Sequence, residues 1–79
     1  MKIHVLFFGA TADIADKREV ELMVTDGMTT NEVLKNILRQ FPRLSNHKLH
    51  ISINQQYASG SETVNDGDEL AIFTAVSGG

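Results

Sequence analysis

Histidine is the residue type most able to shuttle a proton or hold a metal near neutral pH, and the chain has three, His4, His47 and His50. No HxxxH spacing and no paired carboxylates accompany them, so they read as surface residues. Asp66-Gly67-Asp68 offers closely spaced carboxylates, but the remaining ligands of a calcium loop are missing, and turn chemistry accounts for the triplet. Gly9 is isolated and builds no phosphate-binding loop. The absence of cysteine removes disulfides, thiolate metal sites and a thiol nucleophile. What remains is the end of the chain, Val76-Ser77-Gly78-Gly79. At an average glycine usage of about 7%, a Gly-Gly ending arises by chance only about once in two hundred sequences. Residues without a Cβ pass through a narrow channel and adopt conformations closed to other residues. A terminal glycine carboxylate is also open to attack once activated. The pattern suits chemistry on the Gly79 carboxylate inside another protein's active site, with Val76, Ser77 and Gly78 as the projecting arm. On its own the chain is expected not to be an enzyme and to bind no cofactor or metal.

The elements that must position this end follow from periodicity. Lys2 to Phe8 has strand composition, with Ile3, Val5 and Phe7 on one face and His4, Leu6 and Phe8 on the other. Gly9 to Lys17 breaks the pattern and reads as a loop or irregular turn. Arg18 to Thr25 alternates, Val20, Leu22 and Val24 inward against Glu19, Glu21 and Met23, and completes an opening hairpin. Thr29-Thr30-Asn31-Glu32 matches a capping box, and Val33, Leu34, Ile37, Leu38 and Phe41 follow as one helical stripe that Pro42 ends. Lys48 to Ile53 alternates again, with Leu49, Ile51 and Ile53 inward, and Asn54-Gln55-Gln56 reads as a turn. A short strand around Tyr57 and Ala58, the turn Asn65-Asp66-Gly67-Asp68 and a last strand from Glu69 to Ala75 complete the order.

Such an order prescribes an α+β domain in which a mixed sheet of four to five strands packs on one main helix. Both the first and last strands carry apolar residues on their second faces, which places them side by side in the centre of the sheet. This is the β-grasp, ubiquitin-like arrangement, expected over residues 1–75, with 76–79 as a flexible tail. On the side away from the helix, Leu6, Phe8 and Phe73, with Met23 and Tyr57 nearby, form an apolar patch that suits a docking partner.

Seventy-nine residues hold one core and no second domain. With 42% apolar residues and one proline, the chain has the composition of an ordinary folded domain. The apolar run Ile3 to Phe8 is too short for a signal-peptide core, so no export or membrane segment is expected, and the lack of cysteine fits a reducing cytoplasm. A net charge of −3 gives no basic stripe for nucleic acid and favours basic partners.

Val5-Leu6-Phe7-Phe8, Ile53-Asn54-Gln55 and Asp66-Gly67-Asp68-Glu69, leading through Ile72-Phe73 to Val76-Ser77-Gly78-Gly79, resemble the small, sulfur-carrying subunit of molybdopterin synthase over the whole chain. The resemblance implies that an adenylating enzyme uses ATP to convert the Gly79 carboxylate to an acyl-adenylate. A persulfide sulfur from a donor protein then displaces AMP and leaves a thiocarboxylate. The tail would enter the large synthase subunit, whose pocket holds the catalytic groups, and give up sulfur for the molybdopterin dithiolene. Two small and two large subunits would form a heterotetramer. In that family an apolar patch docks both partners, and the matching positions are Phe8, Tyr57 and Phe73, Tyr57 standing where the family has an aliphatic residue. Thr74-Ala75 replaces the prolines usual after the last strand's Phe, and Ala12-Asp13 replaces an Arg-Glu pair. The alternatives are a carrier for thiamine synthesis or tRNA thiolation, a ubiquitin-like protein modifier, and a non-covalent β-grasp interaction module.

Overall fold

A computed structural model describes residues 1–74. Strands β1 (Lys2–Phe7), β2 (Glu19–Met23), β3 (Leu49–Ile53), β4 (Gln56–Tyr57) and β5 (Glu69–Thr74) form one sheet in the order β2-β1-β5-β3-β4. The central pair β1 and β5 is parallel and the other pairings are antiparallel. Parallel neighbours need a crossover, and the long helix α2 (Thr30–Gln40) lies within it. The sequence expectation of an α+β, β-grasp domain with β1 and β5 in the centre is met.

Alternation sorts the sheet into two faces. Ile3, Val5 and Phe7 of β1, Leu22 of β2, Ile51 of β3 and Leu70 and Ile72 of β5 are buried in one core on the helix side of the sheet. From α2, Val33 and Ile37 meet them, one helical turn apart on the same side. Phe41, at the helix C-cap, packs edge-on against Phe7 with ring centroids 5.3 Å apart. The N-terminus of α2 is fixed by the expected capping box: the Glu32 N–H donates to Thr29 Oγ1 at 3.2 Å and the Thr29 N–H to Glu32 Oε1 at 3.1 Å.

Two local expectations need correction, and one further element carries no sequence expectation. Gly9 to Lys17 is not a loop, because Ala10–Ala15 forms a short helix, α1, between two residues of positive φ, Gly9 (59°) and Asp16 (58°). Its alanines favour helix, but its buried side consists of Thr11 and Ala15, too small and too polar to register as an apolar stripe. Residues Pro42–Asn46 form a 3₁₀ turn that inserts Leu44, fully buried, under the helix. The β3 to β4 turn is tighter than expected: Asn54 (φ 48°) and Gln55 (φ 71°) make it alone, and Gln56 already pairs with Ile53. Successive positive φ values match a two-residue type I′ hairpin.

Thr11 explains why α1 sits where it does. Its buried Oγ1 lies 2.7 Å from the Phe8 carbonyl and 2.8 Å from the Ile72 carbonyl, so one hydroxyl ties α1 to the ends of both central strands. Each carbonyl keeps a backbone donor, the Thr11 N–H at 3.2 Å and the Phe8 N–H at 3.0 Å. Thr11→Val preserves shape and removes only the hydroxyl bond, so a loss of about 1 kcal/mol in urea unfolding is expected, with an unchanged m-value. A neutral substitution would show that the hydroxyl holds nothing.

A candidate docking face on the open side of the sheet

Residues directly opposite on adjacent strands share a face, so the register fixes the open side row by row. Glu19, Leu6, Ala71, Ser52 and Tyr57 form one row across all the strands. One step beyond the Phe7–Ile72 pair come Phe8 and Phe73, and His50 lies opposite Phe73 on β3. Phe73 is the centre of an aromatic cluster. The His50 ring stacks on it with centroids 5.7 Å apart and planes at 26°, and Tyr57 meets it edge-on at 5.8 Å. Such pairs add about 0.5–1.5 kcal/mol each beyond area burial.

The three expected docking residues therefore fall on one face, with different exposures. Phe8 is 52% and Tyr57 79% exposed, while Phe73 is half-buried between its neighbours. Met23 does not join them. It is exposed, but it pairs with Lys2, four residues from Leu6, a separation of about 13 Å along a strand. His50 is the member that sequence reasoning missed. Alternation turned it outward on β3, but only the β3–β5 register sets it against Phe73, and pairing between distant strands leaves no local pattern. The other histidines stand apart from it, His47 exposed beyond the 3₁₀ turn and His4 exposed on β1. Ala12 and Asp13 line a hollow beside Phe8 together with Arg18 and Glu19, so α1 borders the face.

Away from the aromatics the face is charged. Glu21 and Glu69 flank His4 across the two neighbouring strands. Lys2 Nζ lies 3.1 Å from Glu21 Oε2 in an exposed ion pair worth little to stability.

The Asp66-Gly67-Asp68-Glu69 signature has a structural job. The Lys2 N–H donates to Asp66 Oδ1 at 2.8 Å, and the Gly67 N–H returns a bond to the Lys2 carbonyl at 2.8 Å. Asp68 Oδ2 accepts from the Asn65 N–H at 2.7 Å and its Oδ1 from Asn54 Nδ2 at 3.1 Å, while the Glu69 N–H donates to Asn54 Oδ1 at 3.0 Å. The motif thus fastens the start of β5 to β1 on one side and to the β3–β4 turn on the other. It aligns the last described strand.

A second carboxylate hub, Glu62, was not legible in the sequence. Oε2 accepts from the Ser59 N–H at 2.7 Å and the Ser59 hydroxyl at 3.1 Å; Oε1 accepts from the Gly60 N–H at 3.0 Å and the Thr30 hydroxyl at 2.9 Å. The Ser59 N–H foremost, then Glu62's own N–H, with the Thr30 hydroxyl and the Gly60 N–H, lower its pKa from 4.5 to about 2. A depressed carboxylate pKa stabilises the fold above the unfolded value and loses that effect as pH falls through the folded one. Glu62→Gln should therefore be less stable than the parent above pH 4.5, with the gap closing as pH approaches 2, read by urea midpoints across that range. A gap independent of pH would contradict the charge-based role.

The β-grasp topology defines a ubiquitin-like protein. A family model described as the ThiS family matches residues 5–79, and the chain belongs to that family. The molybdopterin synthase sulfur carrier subunit of Mycobacterium tuberculosis is 34% identical, over 100% of this chain and 99% of its own. SAMP1 from Haloferax volcanii superposes with a TM-score of 0.89 at 27% identity, covering 100% of both chains. A structure of the complex of subunits 1 and 2 of molybdopterin-converting factor from Helicobacter pylori shares the fold, with a TM-score of 0.71, 23% identity and 100% coverage of both chains.

Four of the expected site residues, Val76, Ser77, Gly78 and Gly79, lie outside the described residues, as does Ala75, the expected end of the last strand and of the domain. Among the described residues no helix is long and apolar enough to cross a membrane.

Proposed function

We propose that this chain is a sulfur carrier of molybdenum cofactor biosynthesis, working as the small subunit of molybdopterin synthase. The observation that carries this reading is end-to-end similarity to a sulfur carrier subunit, over 100% of this chain and 99% of the relative. In this reading Gly79 is adenylated at the expense of ATP by a ubiquitin-activating-like enzyme. It receives sulfur from a persulfide donor and delivers it as a thiocarboxylate to the large subunit, where the catalytic pocket lies. Phe8, Tyr57 and Phe73, joined by His50, dock the partner, and Val76, Ser77 and Gly78 span the distance to the reacting centre. The chain contributes binding and proximity rather than acid-base chemistry. A cytoplasmic setting, where the nucleotide and the reduced sulfur donor are at hand, fits these steps. The complex of subunits 1 and 2 solved for the Helicobacter fold neighbour supports a large-subunit partner.

A second reading is favoured by the likeness to a solved structure described as Haloferax volcanii small archaeal modifier protein 1, with a TM-score of 0.86 and 25% identity over 95% of this chain. In that reading the same adenylate is passed to lysine amines. Intact-mass analysis of the chain purified from cells that contain its native partners separates the two. Exchange of one terminal oxygen for sulfur supports the carrier, and isopeptide-linked conjugates on lysines support the modifier. A chain that carries neither, under conditions of active cofactor synthesis, overturns both.

A further inference from the structure

The sequence has two Asp-Gly steps, Asp26-Gly27 and Asp66-Gly67, and no Asn-Gly step. An Asp-Gly step can rearrange by itself, because a glycine without a Cβ lets the following amide nitrogen approach the aspartate side chain. The nitrogen attacks Cγ of the neutral carboxyl. The N–Cγ bond forms, the amide proton passes to solvent and the carboxyl hydroxyl departs as water. The resulting succinimide takes up one water at either carbonyl. One opening regenerates aspartate, and the other gives isoaspartate, an isomer of equal mass whose main chain runs through the former side chain. No oxidant, reductant or co-reactant beyond water takes part.

The two steps have nearly the same backbone shape at glycine, with φ 87° at Gly27 and 84° at Gly67. They differ in what holds the reacting atoms. At the second step the nucleophilic Gly67 N–H is engaged by the Lys2 carbonyl at 2.8 Å, and Asp66 Oδ1 by the Lys2 N–H at 2.8 Å. Nitrogen and carboxylate are each tied to the backbone of β1, and attack requires both bonds to break and the turn to leave the sheet. At the first step, among the described residues, neither the Asp26 carboxylate nor the Gly27 N–H has a hydrogen-bond partner, and both residues are exposed. The turn is closed by one long bond, Met28 N–H to the Thr25 carbonyl at 3.3 Å. It is suspended between firm anchors: the Val24 N–H on the Met1 carbonyl at 2.8 Å, and the Met28 carbonyl accepting from the Val64 N–H at 2.8 Å. Local opening of such a turn leaves the core intact.

We infer that Asp26 is a site of spontaneous isoaspartate formation in the folded protein and that Asp66, in the same dipeptide, is protected by its clasp on Lys2. The modification would insert one backbone carbon into the link between β2 and the capping box of α2. The inference does not depend on the sulfur-carrier reading.

The test ages the full chain at physiological temperature in mildly acidic buffer, folded and, in parallel, unfolded in urea. Isoaspartate is counted with an isoaspartyl methyltransferase and located by electron-transfer fragmentation of peptides. The folded chain should accumulate it at position 26 severalfold faster than at 66, and the unfolded chain at comparable rates at the two positions. Asp26→Glu, which keeps the charge but disfavours the larger imide ring, should remove most of the folded-state signal while leaving the circular dichroism spectrum unchanged. Equal rates at the two steps in the folded chain, a ratio unchanged by unfolding, or protection of both steps in the folded chain would each overturn the inference.

Discussion

A chain lacking Gly79 is expected to form no productive thiocarboxylate and to lose sulfur transfer by at least about 100-fold, since small misplacements of a reacting group already cost that much. Deletion withdraws the carboxylate by about one residue length, roughly 3.5 Å, and presents Gly78 in its place. Stability should be untouched. The core runs from Ile3 to Ile72, and the described bonds that fasten β5, through Asp68, Glu69 and Ile72, all precede residue 75. The check pairs sulfur transfer to the large subunit with a urea denaturation curve on the same preparation. Full activity after deletion would remove Gly79 from the mechanism. Loss of activity accompanied by a lowered midpoint would show that the end of the chain belongs to the fold.

Phe73→Asp is expected to weaken binding of the large subunit by about 2–4 kcal/mol, or 30- to 1,000-fold, as removal of a central aromatic anchor does. It places a charge at the middle of the docking face and breaks the contacts with both His50 and Tyr57. The fold should lose about 1–3 kcal/mol with the two ring contacts and yet stay folded, because Phe73 faces away from α2 and its loss leaves the core intact. The neighbouring position provides the contrast. Ile72, on the opposite face with no exposed surface, should cost about 2–5 kcal/mol of stability on truncation to alanine. Titration of the large subunit with each variant, beside urea unfolding of each, distinguishes the two faces. If Phe73→Asp unfolds the domain, Phe73 is a core residue and the docking face is misassigned.

What the sequence made legible follows from the range of the forces involved. Alternation in β1 and β5, the stripe of α2 and its capping box are local patterns, and each became the element it indicated. The central pairing of β1 with β5 also followed, because a strand with apolar residues on both faces is best shielded in the middle of a sheet. The short helix α1 was hidden because its buried residues are Thr11 and Ala15, and the hydroxyl of Thr11 finds its partner Ile72 sixty-one positions away. His50 joins the aromatic cluster of the open face only through the β3–β5 register, and Glu62 is a hub only because its loop folds onto the start of α2. The Asp-Gly-Asp-Glu run is legible as a turn, but its bonding partners are set by the fold. Its carboxylates bond backbone and side-chain amides of β1 and of the two turns it joins, and no ligand needs to be invoked.

Sulfur delivery from the terminal glycine is the central claim, and a single turnover tests it most directly. The chain is prepared with a thiocarboxylate at Gly79, mixed with the large subunit and the pterin precursor, and followed by intact mass. The carrier reading predicts that each chain returns to the carboxylate form as the precursor gains one sulfur, with two chains consumed for each dithiolene. A thiocarboxylate that persists beside the bound large subunit and precursor, or a precursor that gains sulfur while the carrier mass stays unchanged, would contradict it.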